Sequence, residues 1–419
     1  MTSSTARPRP SDRIIGVLDA GSFKTVCLIA TVDAEGQPAR IAGIGVTRSA
    51  GIKSGLIVDL AAAETAIGGA IAHAERMVGA RLRHIDIAVN CGRLSSLCFA
   101  ANAPVPGGVI ERKTVRRVST AGRAHAQRNG RLLLQLETLG YRLDGATPTR
   151  DPVGMAAGRL TAQFHAITAD PPAIGNLTRT VERCHLSPRR LVAGPAASAL
   201  AVTSEEERRS GVVVIDIGAG VTGIAAFQDG QLIHTDTVAI GGEHVTLDIV
   251  HALRTPLEQA ERIKTLYGTV VIAQSDQHDV FSYAVGGDGD GFEQRTTKAD
   301  LARIIQARMA DLLQLVRGRL ANAGLLDASV ARIVICGGGS GISGLQSFAE
   351  GILKCPVREG RPRKLPGLPP LYESAAFAGV IGVLSAGAES TANDLLGPDG
   401  DNASFGYFRQ VGQWLKEGF

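Results

Sequence analysis

The sequence predicts an α/β protein of two related lobes, with a block inserted into the first lobe and an amphipathic helix at the C-terminus. Three observations carry this reading. The strand–turn–strand stretch VLDAGSFKTVCLIA returns as VIDIGAGVTGIAAF, an internal duplication. Three glycine-rich turns, DAGSFKT, DIGAGVTG and CGGGSGISGL, each follow an apolar strand directly. The chain has 419 residues, 44% of them hydrophobic, enough for at least two domains with their own cores.

The elements follow in order. Residues 1–13 (MTSSTARPRPSD and Arg13) are rich in Pro and Ser, lack the apolar stretch of a signal peptide, and are expected to be disordered. Residues 14–83 open the first lobe as β-β-β-α: IIGVLD, VCLIA, ARIAGIGV, then a helix beginning at Asp59. Residues 84–167 read as the inserted block, from HIDIAVN to the closing strand AQFHAITA. Its basic middle, ERKTVRRVSTAGRAHAQRNGR, has helical spacing and no interleaved aromatics, so it reads as a solvated helix face and not a nucleic-acid arm. Residues 168–211 complete the lobe with a helix ending near Cys184, the strand RRLVAG and the helix PAASALAVTSEEE.

The second hairpin unit occupies residues 212–243. Residues 244–329 hold the helices HVTLDIVHALRT and LEQAERIKTLYG, the turn VGGDGDG, and a long amphipathic helix stopping at Gly324. Asp288 and Asp290 in that turn lack the 12-residue calcium loop with its terminal Glu, so a surface hairpin loop is expected. Residues 330–371 carry the third glycine turn and 372–385 a small-residue helix, YESAAFAGVIGVLS. Residues 386–403 are turn formers with little to bury and read as a flexible linker, and 404–419 restore a helical period.

A net charge of +4, from 44 basic and 40 acidic residues, gives no nucleic-acid footprint. The six dispersed cysteines form no C-x-x-C pair and suit a reducing cytoplasm. No apolar run reaches the length of a membrane span.

A phosphate or nucleotide explains the three glycine turns together. Glycine lets the backbone approach closely and aim N–H groups at phosphate oxygens. Asp19 and Asp216, at matching positions of the duplicated hairpins, are placed to hold magnesium through its water shell, and Lys24 adds a cation. In the tail, Phe405, Tyr407, Phe408, Val411, Trp414, Leu415 and Phe419 fall on one half of a helical wheel, with Arg409, Gln410, Gln413, Lys416 and Glu417 on the other. That pattern suits the bilayer interface, Phe405, Phe408, Val411, Trp414, Leu415 and Phe419 entering it.

In order, DAGSFKT, LVAGPAASALAV, VVVIDIGAGVTGIAAF, IVICGGGSGISGL and YESAAFAGVIGVL resemble the two phosphate loops, two connecting helices and adenosine motif of the actin, sugar kinase and heat-shock chaperone ATPase superfamily. With a block inserted directly after the first helix, and with GGEHVTLDIVHALRT and VERCHLSPRRLVAGPAAS, the chain most resembles the bacterial cell-division FtsA family. The resemblance implies an actin-like two-lobed fold of duplicated ribonuclease-H-like domains. Subdomain 1A would comprise residues 14–83 and 168–211, the FtsA-type subdomain 1C residues 84–167, subdomain 2A residues 212–243 and 330–371, and 2B residues 244–329, with 372–385 returning to 1A.

It further implies ATP and Mg2+ as cofactors, bound by Asp19, Gly21, Ser22, Phe23 and Lys24, by Asp216, Gly218, Gly220 and Thr222, and by Gly241, Gly242, Glu261, Lys264, Gly337, Gly338 and Gly339. Without those motifs, Glu261 and Lys264 would read as an ordinary exposed helix pair. Two departures stand out: Gly194 precedes Pro195 where chaperone relatives carry Glu, and Val221 and Gly223 replace a hydroxyl and an acid. No catalytic residue is therefore assigned, and a slow or negligible ATPase is expected.

The implied partners are the tubulin-like division protein FtsZ, its tail docking on 2B at Arg308, further copies of the chain in filaments, membrane lipids, and later divisome proteins through 1C. The implied location is the cytoplasmic face of the inner membrane at the division septum. The rival reading is a cytosolic small-molecule kinase or other ATPase of the superfamily, which would need an acidic base in the cleft and has no use for the tail.

Overall fold

The computed structural model describes residues 14–33, 38–127, 130–286, 292–326 and 330–393. The first hairpin is β1 (Ile14–Ala20) against β2 (Lys24–Val32), extended by antiparallel β3 (Pro38–Arg48). A small hairpin of β4 (Ile52–Lys53) and β5 (Leu56–Ile57) leads to α1 (Leu60–Val78), which starts where the Asp59 carboxylate accepts from the Ala62 N–H.

β6 (His84–Val89) corrects the expected start of the inserted block. It pairs in parallel with β1, Gly16 opposite Ile85, and joins the first sheet, whose order is β11-β6-β1-β2-β3, through the later strand β11 (Ser187–Ala193). The physical reason is its side chains: Ile85, Ile87 and Val89 on one face and Asp86 and Ala88 on the other are all buried, as a parallel strand covered on both faces requires. The block that leaves this sheet has its own antiparallel sheet, in the order β7-β10-β8-β9, formed by β7 (Ser95–Pro104), β8 (Leu132–Leu143), β9 (Thr147–Thr149) and β10 (Arg159–Ala169). Across it lies α2 (Arg112–Ala126), burying Val115, Val118 and Gly122 while Arg112, Arg116, Arg117 and Arg123 face solvent, the solvated basic face expected from the sequence.

The chain returns through α3 (Pro171–Arg183) to β11, then α4 (Gly194–Val202) and the capped turn α5 (Glu205–Ser210). The second lobe repeats the first. Its sheet, β14-β13-β12-β17-β18, is built from β12 (Val212–Ile217), β13 (Thr222–Gln228), β14 (Gln231–Val238), β17 (Arg332–Cys336) and β18 (Val357–Glu359). As in the first sheet, the central strand is antiparallel to one hairpin partner and parallel to the strand on its other side. The duplication read from the two hairpins thus extends to the whole sheet.

Between β14 and β17 stand α6 (Gly242–Leu253), α7 (Leu257–Tyr267), the hairpin of β15 (Val280–Val285) and β16 (Phe292–Thr297), and α8 (Lys298–Asn322). Asp288 and Asp290 lie outside the described residues. After α9 (Leu345–Leu353), the helix α10 (Ala378–Asn393) crosses back onto α4, burying Val380, Ile381, Val383 and Leu384 in the first lobe's core. It also corrects the expected linker, because residues 386–393 continue the helix: once a helix is nucleated, each added residue costs little even for a weak helix former. The rest of the linker and the whole amphipathic tail, with Phe405, Phe408, Val411, Trp414, Leu415 and Phe419, lie outside the described residues.

The inserted block touches the second lobe where β7 and β10 meet β14. The Thr235 N–H donates to Ser96 Oγ at 3.0 Å, and Ser96 Oγ also bonds His165 Nε2. His165 Nδ1, His234 Nε2 and Thr235 Oγ1 are buried there without a hydrogen-bond partner. Burial first, and His234 second, holds the His165 imidazole down at about 4, and burial lowers His234 as well against the pull of Asp236. The unfolded chain therefore takes up protons below about pH 6.5 that the folded His165 refuses until about pH 4. Stability is present above that window and lost as pH falls through it, by up to about 1.4 kcal/mol per pH unit. Urea unfolding followed by circular dichroism should show a midpoint that drops between pH 7 and pH 5, with a shallower drop in His165→Gln.

Candidate functional site

β1 and β12 each carry an aspartate one residue before their last, with a glycine turn directly after the strand, and the two turns close alike. The Gly21 N–H donates to Lys24 O at 3.1 Å, and the Gly218 N–H to Val221 O at 2.9 Å. The loops meet between the lobes: a Cβ on Gly220 would lie 2.6 Å from Ser22 Oγ and 2.9 Å from Ser54 Cα, and Ser22 Oγ accepts from the Gly55 N–H at 3.1 Å.

Asp19, Asp216 and Lys24 share the space behind these loops. Burial, and then the like charge of Asp216, pushes the Asp19 carboxyl up to about 6, while Lys24 and the Asn90 amide oppose the rise. Burial also raises Asp216, against the Ser198 hydroxyl and Lys24. Burial lowers the Lys24 ammonium to about 8, against both aspartates, and that ammonium stands 3.2 Å from the centre of the Phe377 ring. Two hard oxygen donors repelling one another are a donor set that fits a hard divalent cation and its waters, since the cation relieves the repulsion.

The remaining walls are backbone. Gly337 adopts φ 86, and a Cβ there would overlap an Asp216 carboxylate oxygen, so the third glycine turn passes directly beside Asp216. The start of α6 is stapled to the second loop, Gly242 N–H to Gly218 O at 2.9 Å and Glu243 N–H to Ala219 O at 2.8 Å. A Cβ on Gly242 would lie 3.7 Å from Gly339 Cα and 3.9 Å from Lys264 Nζ, which gathers Gly242, Gly339 and Lys264. Lys264 Nζ donates to Gly242 O at 3.1 Å, Thr246 Oγ1 at 2.7 Å and Glu261 Oε2 at 2.7 Å. With side chains 15% and 31% exposed, Lys264 and Glu261 are not the exposed helix pair that is the alternative reading.

Not every candidate is brought to the cleft. Thr222 is fully buried, its hydroxyl donating to Ile240 O at 2.7 Å, so it braces the loop from behind. The Phe23 side chain is exposed to solvent. Arg308 lies on α8, its guanidinium paired in a fork with Asp248 on α6 at 2.6 and 2.8 Å. The two departures noted in the sequence acquire causes: a Cβ on Gly223 would lie 2.5 Å from Pro195 Cγ, and one on Gly194 would fall inside the Asn90 amide.

Sequence reasoning missed Asn90, Ser198, Thr246 and Phe377. Ser198 Oγ donates to Asp216 Oδ2, and Asn90 Nδ2 to Asp19 Oδ1 at 3.1 Å. Asn90 had a usable signal, because it follows the strand HIDIAV at its carboxyl end, where parallel sheets bind ligands. Ser198, inside an alanine-rich helix, had none.

A family model described as Cell division protein FtsA matches residues 213–382, and one described as SHS2 domain inserted in FTSA matches residues 92–168, a start that leaves β6 in the first lobe. Among curated proteins, Cell division protein FtsA of Agrobacterium fabrum is 36% identical, over 99% of this chain and 97% of its own length. That of Neisseria meningitidis serogroup B is 32% identical, over 91% and 92%, and that of Escherichia coli K12 is 29% identical, over 98% and 100%. Among solved structures, the PilM-PilN type IV pilus biogenesis complex is similar with a TM-score of 0.63 at 17% identity, over 89% of this chain and 98% of that one. MreB5 of Spiroplasma citri bound to ADP follows at 0.55 and 14%, over 92% and 99%. These likenesses give the fold as actin-like.

Proposed function

The chain belongs to the FtsA family of cell division proteins, and from that premise we propose that it binds magnesium ATP between its lobes, polymerises at the cytoplasmic membrane and anchors FtsZ filaments there. The observation that carries the nucleotide arm is the convergence of Asp19, Asp216 and Lys24 behind two identically closed glycine loops. Loop N–H groups and the positive end of α6 receive the phosphates, and Asp19 and Asp216 hold the magnesium through its waters. Bound magnesium supplies charge neutralisation for the phosphates. Glu261 and Lys264 address the nucleoside beside Gly337, Gly338 and Gly339.

Hydrolysis is slow or negligible in this reading. Gly194 and Gly223 offer no carboxylate to orient a water, and their neighbours Asn90 and Pro195 occupy the space one would need. ATP then acts as a structural ligand that favours the polymerising conformation.

FtsZ's tail docks on the subdomain of α6–α8, where Arg308 would have to exchange Asp248 for an acidic group of the peptide. Later divisome proteins meet the inserted block. The membrane arm rests on the tail's sequence: among the described residues no helix is long and apolar enough to cross a membrane, and an interfacial helix needs none. One short helix binds weakly, and filaments multiply it.

Trp414→Glu tests this arm, because it puts a charge in the middle of the apolar face at a cost on the order of kilocalories per mole. The variant should bind ATP as the parent does and stay in the supernatant with anionic liposomes that pellet the parent. Equal pelleting of both, or of neither, would mean that the tail docks on protein.

A further inference from the structure

Behind the loops, the Asp19 carboxylate is held by an amide that no sequence motif marks. β6 and β11 run side by side with Val89 opposite Ala193, so the next residues, Asn90 and Gly194, leave the sheet together at its carboxyl end. Asp19 lies opposite Ala88 on the other flank of β6, and Asn90, two residues on, falls on the same face as Ala88. Its Nδ2 donates to Asp19 Oδ1 at 3.1 Å. The rest of the amide rests on bare backbone: a Cβ on Gly194 would overlap Asn90 Oδ1 and lie 2.6 Å from Cγ and 3.1 Å from Nδ2. The second Asp19 oxygen is confined in the same way, 2.9 Å from where a Cβ on Gly379 of α10 would stand.

The geometry points to Asn90 as a positioning residue for the magnesium-bearing Asp19, with Gly194 as the seat that admits it; this rests on the reading of the cleft as a magnesium-nucleotide site. Asp216 has the matching support. Ser198 donates to it from α4, four residues after Gly194 and hence on the same helix face, so one turn of α4 sets both carboxylates. A neutral donor suits the place: an acid would add a third negative charge beside Asp19 and Asp216, and an apolar side chain would leave the carboxylate free to rotate. Gly194 is therefore kept small by Asn90, not by the turn into α4.

The test is calorimetric titration of the full chain with ATP, in magnesium and in EDTA, for the parent, Asn90→Ala, Asn90→Asp and Gly194→Ala, with thermal unfolding of each nucleotide-free protein as the check on folding. Affinity for magnesium ATP should fall about tenfold in Asn90→Ala and in Gly194→Ala, the scale of one charge-assisted hydrogen bond. In the two alanine variants, affinity for ATP in EDTA should stay within about twofold of the parent, whereas the isosteric Asn90→Asp adds a negative charge that weakens binding of the magnesium-free nucleotide most. Variants that fold and bind magnesium ATP like the parent would overturn the assignment. So would equal losses with and without magnesium in the alanine variants, which would make Asn90 a packing residue only. A parent that binds no magnesium ATP would instead overturn the cleft reading itself, and this assignment with it.

Discussion

Asp216→Ala is expected to weaken magnesium-ATP binding by about a hundredfold, a loss of about 2.7 kcal/mol. Asp216 is buried, takes a hydrogen bond from Ser198, and faces Asp19 and Lys24 across the loops. Removing it takes away half of the carboxylate pair formed by equivalent positions of the duplicated hairpins. It also frees Asp19 from the like charge that helps to raise it to about 6, so Asp19 ionises more easily but alone. Asp19→Ala should lose a similar amount. Because both act on one ion, the double variant should be scarcely worse than either single, a coupling that a double-mutant cycle measures directly. Fully additive losses would place the two carboxylates on different ligands.

Gly382→Ala is the second large effect, this time on stability. α10 crosses α4 so closely that a Cβ on Gly382 would overlap the Ala197 carbonyl and stand 2.9 Å from its Cα. The obstacle is backbone, so no side-chain rotation relieves it. α4 is lined by Ala196, Ala197 and Ala199, all buried, and shifting it disturbs the seat of Asn90 as well as the first lobe's core. The expected cost is about 3 kcal/mol, the upper end for overpacking. Gly318→Ala, on the exposed face of α8 with open space around it, should instead gain about 0.5–1 kcal/mol. Thermal unfolding of the two variants beside the parent checks both signs.

The fold was legible where it is local or repeated. The hairpins of Asp19 and Asp216 announce themselves by an apolar strand broken at Asp and Gly, and α8 by its period and its stop at Gly324. β6 was misplaced because its parallel partners, β1 and β11, are far away in sequence, and the hexamer HIDIAV does not say which sheet it joins. α10 was cut short because AESTAN reads as turn formers in isolation, whereas a helix already packed on α4 extends through it. At the site, the glycine loops and aspartates have a pattern and their supports do not. Asn90, Ser198 and Phe377 are single residues on separate elements, and only the folded chain brings them together.

Fluorescent FtsZ on a supported anionic bilayer tests the central claim most directly. With this chain and magnesium ATP present, FtsZ filaments should gather on the bilayer, and they should stay in solution when the chain is omitted or carries Trp414→Glu. Recruitment of FtsZ that is unchanged by Trp414→Glu, or no recruitment by the parent chain, would contradict the account.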